Sequence, residues 1–105
     1  MIGLVCDAVS KRLRLSFTYL GQHRVVEPHV CGRTEAGEDL MLAYIVAGHS
    51  SSGPVPGWRN YRLAELRDVE ILREGFEGPR PGFNPRDPRF VAVYCQITAT
   101  HAAPE

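Results

Sequence analysis

The stretch LRLSFTYLGQHRVVEPHVCGRT, residues 13–34, decides the fold class of this chain. From Leu13 to Tyr19 apolar residues alternate with polar ones, which is the pattern of a β-strand with one buried face. After a turn around Gly21, a second strand is predicted from Arg24 to Thr34. Pro28 lies inside that strand and cannot donate to a hydrogen-bond ladder, so it indicates an edge, a bulge or a bend.

Outward from these two strands, the sequence predicts one helix and further short strands. The apolar stripe of residues 2–12 is typical of a helix that covers a sheet. Residues 40–48 are apolar on both alternating faces, so this strand is expected to be covered on both sides. Further strands are predicted over 58–63, 67–74 and 91–98, and residues 77–90, with four prolines and two glycines, are predicted as an irregular crossover. Strands at this spacing indicate a small barrel or a strongly bent sheet.

Length and composition describe one folded domain without a net charge. The chain has 105 residues, of which 44% are hydrophobic and 23% charged, as in an average folded domain. Twelve basic residues balance twelve acidic ones, which excludes a globally basic nucleic-acid-binding domain but leaves a local basic patch open. Eleven of the basic residues are Arg, whose planar guanidinium group can bind carboxylate or phosphate through two parallel hydrogen bonds.

The three cysteines and the hydropathy pattern predict a cytoplasmic protein. Cys6, Cys31 and Cys95 are widely spaced, form no C-x-x-C pair and follow no secretory signal. We therefore expect them to act as small hydrophobic residues in a reducing compartment rather than as a disulfide framework. No apolar run approaches the roughly 20 residues of a membrane span, so no membrane partner is expected.

Sequence motifs of enzymes are absent. The chain contains no glycine-rich phosphate loop, no G-x-S-x-G nucleophile elbow and no H-E-x-x-H zinc motif. His29 and Cys31 would share one face of a regular strand and could ligate one metal ion, but the two further zinc ligands have no recognised spacing. We therefore predict no enzyme, no metal site and no cofactor.

An ordered set of short motifs resembles the WYL domain, a ligand-sensing module found mostly in bacterial transcriptional regulators. The matching features are the aromatic strand ending in Tyr19, Arg24-x-x-Glu27-Pro28, Ala43-Tyr44, Arg59-x-Tyr61-Arg62-Leu63-x-x-Leu66 and Phe76. The resemblance implies a small Sm-like β-barrel of about five strands with an N-terminal helix over residues 1–76. Residues 77–105, the crossover and an extra C-terminal strand, are assigned to the same single domain. The Trp-Tyr-Leu run that names the family is replaced here by Asp39-Leu40-Met41.

The resemblance also implies a ligand site. In the family, the strand that matches Arg59–Leu63 contributes arginines to a surface groove for nucleic acid or a nucleotide-like effector. Guanidinium groups fit phosphate, and aromatic rings offer faces on which a base can stack. The predicted ligand-binding residues are Arg59, Arg62, Tyr44 and Trp58, with Arg24 and His49 at the rim. The implied partners are an anionic effector such as a nucleotide or single-stranded nucleic acid, a second copy in a homodimer, and a separate DNA-binding protein.

Two other interpretations of these residues stay open. The arginines can instead form ordinary ion pairs, Arg24 with Glu27, Arg62 with Glu65 and Arg67 with Glu70, while Tyr19 and Tyr44 belong to the core. Trp58 can cover the core or contact a ligand. Arg80, Arg86 and Arg89 are expected in solvent, with the same groove as the alternative place for them. The alternative function is protein–protein assembly through exposed strand edges, with Val91–Ile97 either closing its own sheet or exchanging between copies.

Overall fold

The computed structural model describes residues 1–48 and 53–98. The elements are α1 (Ile2–Lys11), β1 (Leu13–Tyr19), β2 (Gln22–Thr34), β3 (Asp39–Gly48), β4 (Gly57–Arg62), a 3-10 turn (Leu63–Glu65), β5 (Leu66–Gly75) and β6 (Phe90–Gln96). The prediction of a mainly β chain with one N-terminal helix and an extra C-terminal strand is confirmed. In the described part of the chain, no helix is long and apolar enough to cross a membrane.

The strands form one antiparallel sheet in the order β4-β3-β2-β1-β5, and β6 joins it by pairing with β2. The 13-residue β2 organises this sheet. It pairs with β3 along most of its length, with β1 over residues 22–26 and with β6 over residues 30–34. Within the described ranges β4 and β5 do not pair with each other, so the sheet is open rather than a closed barrel.

The predicted irregularity at Pro28 is a β-bulge. Pro28 lies opposite Ala43, but Val30 already lies opposite Leu42, so the register with β3 shifts between them. A bulge changes the alternation of side chains along a strand. The prediction that His29 and Cys31 share a face is therefore wrong: Cys31 lies in the core, whereas the His29 ring contacts the crossover.

The hydrophobic core lies between α1 and one face of the sheet, which we call the helix side. The buried apolar residues of this core are Val5, Ala8, Val9, Leu15, Phe17, Val26, Cys31, Met41, Ala43, Ile45, Tyr61, Leu63, Leu66 and Ile97. A helix of three turns is marginal in isolation, so packing of this apolar stripe stabilises α1. The opposite face, which we call the crossover side, is contacted by the segment between β5 and β6.

A disulfide joins the first element to the last strand. Cys6 of α1 is bonded to Cys95 of β6 across 89 residues of sequence, while Cys31 is a buried free thiol. The prediction that the cysteines are only small hydrophobic residues is therefore wrong for Cys6 and Cys95. The pairing of β6 with β2 brings these two distant residues together. Disulfides persist mainly in oxidising compartments, so the cytoplasmic location stays a prediction.

We expect reduction of the Cys6–Cys95 disulfide to lower the free energy of unfolding by about 2 to 5 kcal/mol, because the unfolded chain regains the entropy of a long closed loop. Urea denaturation with and without a reductant measures this difference. The Cys6→Ser variant is the control, since it should match the reduced protein and not respond to reductant. Equal unfolding midpoints for oxidised and reduced protein would contradict the expectation.

Candidate functional site

The structure distributes the predicted ligand-binding residues over three places. Arg24 and Arg59 lie on the helix side of the sheet, close to Tyr61. Tyr44 and Trp58 lie on the crossover side. Arg62 lies at the end of β4 beside two carboxylates, and His49 is outside the described residues. The first place contains the candidate site.

The Arg24 guanidinium is a buried positive charge held between two tyrosine rings. The residue is only 6% exposed, and its Cζ lies 5.3 Å from the Tyr19 ring centre and 5.9 Å from that of Tyr61. Nη2 donates to the Tyr19 carbonyl oxygen at 3.3 Å, but the buried Nε has no hydrogen-bond partner in the described part of the chain. No carboxylate of the described residues lies within 4.0 Å of the guanidinium.

The predicted Arg24–Glu27 ion pair is wrong for a simple reason of strand geometry. Residues three apart on a strand point to opposite faces, so Arg24 and Glu27 cannot meet across β2. Glu27 instead pairs with arginines on the crossover side. Burial on the helix side therefore leaves Arg24 with carbonyl and aromatic contacts in place of an anion.

Tyr61 supplies a second buried donor next to Arg24. The side chain is 1% exposed, and its rim packs edge to face against Phe17 and Tyr19 at centroid distances of 5.0 and 4.9 Å. Its hydroxyl has no hydrogen-bond partner among the described residues. Burial raises the pKa of Tyr61, and the adjacent guanidinium of Arg24, through its polar contact with the hydroxyl and its charge, and less strongly the charge of Arg59, oppose this shift. The hydroxyl thus stays protonated and lies in a positive field.

Arg59 is held against the loop that precedes β4. Its Nη1 donates to the Trp58 carbonyl oxygen at 2.8 Å and its Nη2 to that of Pro54 at 2.7 Å. A Cβ atom on Gly57 would lie 3.0 Å from Nη1, so glycine allows this close approach. The alternation of β4 puts Arg59 and Tyr61 on one face, as their spacing in the sequence predicts. Tyr61 is the site residue that the predicted set lacked.

A buried carboxylate organises the crossover side of the sheet. Glu27 has no exposed surface and accepts hydrogen bonds from Arg14 of β1 at 2.9 and 3.1 Å and from Arg80 of the crossover at 2.6 and 2.9 Å. Burial acts to raise the pKa of Glu27, but the hydrogen bonds and charges of Arg80 and Arg14 together hold it below its ordinary value. Arg80 is therefore not a solvated crossover residue, as the sequence predicted, but an anchor.

His29 is buried beside this ion cluster in one defined protonation state. Its Nδ1 lies 2.8 Å from the Glu27 carbonyl oxygen, and its Nε2 lies 3.1 Å from the backbone nitrogen of Arg80. Because Nδ1 must donate and Nε2 must accept, the neutral Nδ1-H tautomer fits this geometry. Burial, and less strongly the charge of Arg80, lower the pKa of His29, against the raising effect of Glu27.

The aromatic residues predicted for ligand stacking are in contact with the chain's own crossover. Arg80 Cζ lies 4.7 Å from the Tyr44 ring centre, and Trp58 Nε1 donates to the Pro81 carbonyl oxygen at 3.1 Å. Trp58 also stacks on Phe83 with ring centres 6.1 Å apart. These contacts cover part of the ring surface that a base would need, while both side chains are only half-buried, so Tyr44 and Trp58 stabilise the crossover.

Arg62 lies apart from the buried arginine. It is paired at 3.4 Å with both Glu38 and Glu65, the second of which the sequence predicted. It lines a shallow concavity of about 740 Å³ between the start of α1 and the β2–β3 turn, to which Arg24 and Arg59 do not contribute. Residues 1–48 and 53–98 bring together no three His, Cys, Asp or Glu side chains that could hold a metal ion.

Replacing Glu27 with Gln should lower the free energy of unfolding by about 2 kcal/mol. Removing one partner of a fully buried ion pair costs about 3 to 5 kcal/mol, but Arg14 and Arg80 are partly exposed and regain some hydration. Glu65→Gln is the matched control, because its ion pair with Arg62 is exposed and should contribute less than about 1 kcal/mol. Equal destabilisation by the two variants in urea denaturation would refute this role of Glu27.

Stability should also fall as the pH drops below 6.5, the ordinary pKa of His29. Since the folded-state pKa is lowered, the unfolded chain binds a proton there that the folded chain does not, at up to about 1.4 kcal/mol per pH unit. His29→Gln should flatten this dependence, whereas His23→Gln, at an exposed position, should not. An NMR titration of wild-type His29 at or above pH 6.5 would contradict the assignment.

The chain was compared with family models, curated proteins and solved structures, and it matches none of them. The WYL resemblance therefore stays a hypothesis that depends on the motifs quoted above. Among the described residues, Arg24 combines a buried positive charge with a buried Nε that has no hydrogen-bond partner.

Proposed function

We propose that the chain is a non-enzymatic binding module whose helix side holds the anionic group of a ligand, such as a nucleotide or single-stranded nucleic acid. In this proposal it is a relative of the WYL domain with a regulatory role linked to transcription. Arg24, Arg59 and Tyr61 form the anion site. The proposal keeps the sequence-based prediction of a site made of arginine and aromatic residues. Its centre is now Arg24 on β2 with Arg59 and Tyr61 on β4, in place of Arg62, Tyr44 and Trp58.

The observation that carries the proposal is the buried charge of Arg24. Burying an unpaired ion is costly, so buried charges in proteins are normally paired. Arg24 retains its charge at 6% exposure with contacts to a carbonyl group and two tyrosine rings. An oxyanion beside Nε would supply the missing counter-charge and hydrogen-bond acceptor in one step.

Two further features fit an oxyanion at this place. The hydroxyl of Tyr61 is a second buried donor without a partner among the described residues, and its ring lies against the Arg24 guanidinium. Arg59 adds a positive charge that acts on the same hydroxyl. Gly48 pairs with Arg24 across β2 and β3. The proposal retains the sequence-based assignment of His49 to the rim, and His49 itself lies outside the described residues.

The proposed family relation includes an Sm-like architecture. Two features support this. A helix precedes a sheet in which β5 lies beside β1. The long β2 has a bulge and pairs with three strands, β1, β3 and β6. The open gap between β4 and β5 is where closure of such a barrel would occur. A connection of only three residues joins these two strands.

The binding test uses a fluorescein-labelled deoxythymidine oligonucleotide, with inorganic phosphate as competitor. Wild-type affinity should fall steeply with salt. Arg24→Ala should weaken binding about tenfold or more, because a hydrogen bond to a charged group contributes about 1.5 to 3 kcal/mol. Tyr61→Phe should weaken it several-fold without disturbing the packing of the ring.

Two arginine variants are the controls. Arg67→Ala should bind normally, because Arg67 is exposed and, among the residues that the structure describes, donates to the carbonyl oxygens of Ala64 and Leu66 rather than to the proposed site. Arg62→Ala distinguishes the proposed site from a groove centred on the end of β4, and it should also bind normally. Loss of binding in Arg62→Ala but not in Arg24→Ala, or no binding by the wild type at low salt, would overturn the proposal.

A further inference from the structure

β6 is an edge strand with an exposed apolar surface. Across the described residues, six large hydrophobic side chains are exposed, and three of them belong to this strand: Val91 at 60%, Val93 at 52% and Tyr94 at 41%. One edge of β6 pairs with β2, and within the described chain its other edge pairs with nothing. An unpaired strand edge can hydrogen-bond to another strand.

The other strands at the limits of the sheet are protected in ways that β6 is not. β5 carries five charged residues, which disfavour pairing with a second strand. β4 carries two arginines, Arg59 and Arg62, among its six residues. β6, with the sequence FVAVYCQ, has no charged residue and no proline. Such a segment has the composition that favours strand pairing between chains.

We propose that β6 pairs antiparallel with β6 of a second copy of this chain, so that the two sheets become one across a two-fold axis near Val93. Val93 is the middle residue of the seven-residue strand. In an isologous interface both copies use the same surface, so that if residue i of one copy contacts residue j of the other, residue j of the first also contacts residue i of the second. Val93 of one copy then lies opposite Val93 of the other, and each Val91 is the diagonal neighbour of the other copy's Val93, so this exposed apolar surface becomes partly buried.

A second copy is the partner that the charges favour. A partner recognised through electrostatic complementarity needs charged groups on the docking strand, and β6 has none. Two copies of a chain with zero net charge do not repel each other at long range. Antiparallel self-pairing also places no like charges opposite each other, because all seven side chains are neutral.

The disulfide favours edge-to-edge pairing of two intact copies over exchange of β6 between copies. Cys95 of β6 is bonded to Cys6 of the same chain, which fixes the strand next to its own helix. β6 also pairs with β2 of the same chain, including Cys31 opposite Cys95. The strand therefore stays with its own domain and offers only its outer edge to the second copy. This arrangement does not involve Arg24 or the proposed anion site.

Sedimentation equilibrium of the oxidised full chain tests the proposal. The mass should rise with concentration from 11.7 kDa to twice that value. Val93→Glu should raise the dissociation constant about tenfold or more, because it places like charges together at the axis. Leu20→Glu is the matched control, since it puts the same charge at an apolar residue that is 70% exposed outside β6, and it should leave the mass unchanged.

A mixture of two variants makes the test specific for the two-fold arrangement. Val93→Glu and Val93→Lys should each stay monomeric alone, but their equimolar mixture should recover the dimer mass through opposite charges at the axis. Retention of circular dichroism by each variant shows that the chain still folds. A constant 11.7 kDa mass for the wild type, equal effects of Val93→Glu and Leu20→Glu, or a mixture that stays monomeric would each overturn the proposal.

Discussion

The buried carboxylate of Glu27 is the interaction on which the crossover side of the molecule depends. Glu27 lies on β2 and joins this strand to the neighbouring β1 through Arg14 and to the distant crossover through Arg80. With Arg80 fixed, the crossover can place Phe83 against His29, and β6 can return to β2. A segment rich in proline and glycine, which forms no regular element of its own, thereby acquires a defined path.

Much of the fold could be predicted from alternation alone. The predicted β1 agrees with the observed strand at both ends. Pro28 indicated an edge, a bulge or a bend, because a missing backbone donor is a local property of one residue, and the structure has the bulge. The disulfide could not be predicted, because residues 6 and 95 meet only through the pairing of β6 with β2. Barrel closure is equally a long-range property, which strand spacing suggests but does not determine.

The candidate site was only partly predictable, and the reason is which face each residue occupies. Arg24 and Arg59, which both belong to the predicted set, lie on the helix side and act on Tyr61. The alternation on β4 already predicted that Tyr61 and Arg59 share a face. Tyr44 and Trp58 were assigned to a ligand because nothing in their local sequence shows that the crossover packs on them. The role of Arg80 could not be predicted for the same reason, because its partner Glu27 is 53 residues away in the sequence.

The bond between Cys6 and Cys95 has a topological consequence for the chain as a whole. It encloses nearly all of the described polypeptide in one covalent ring, from the second turn of α1 to the end of β6. A single proteolytic cut anywhere inside that ring opens it without releasing a fragment. Nicked protein would therefore migrate as one species in a non-reducing gel and separate into two pieces only after reduction.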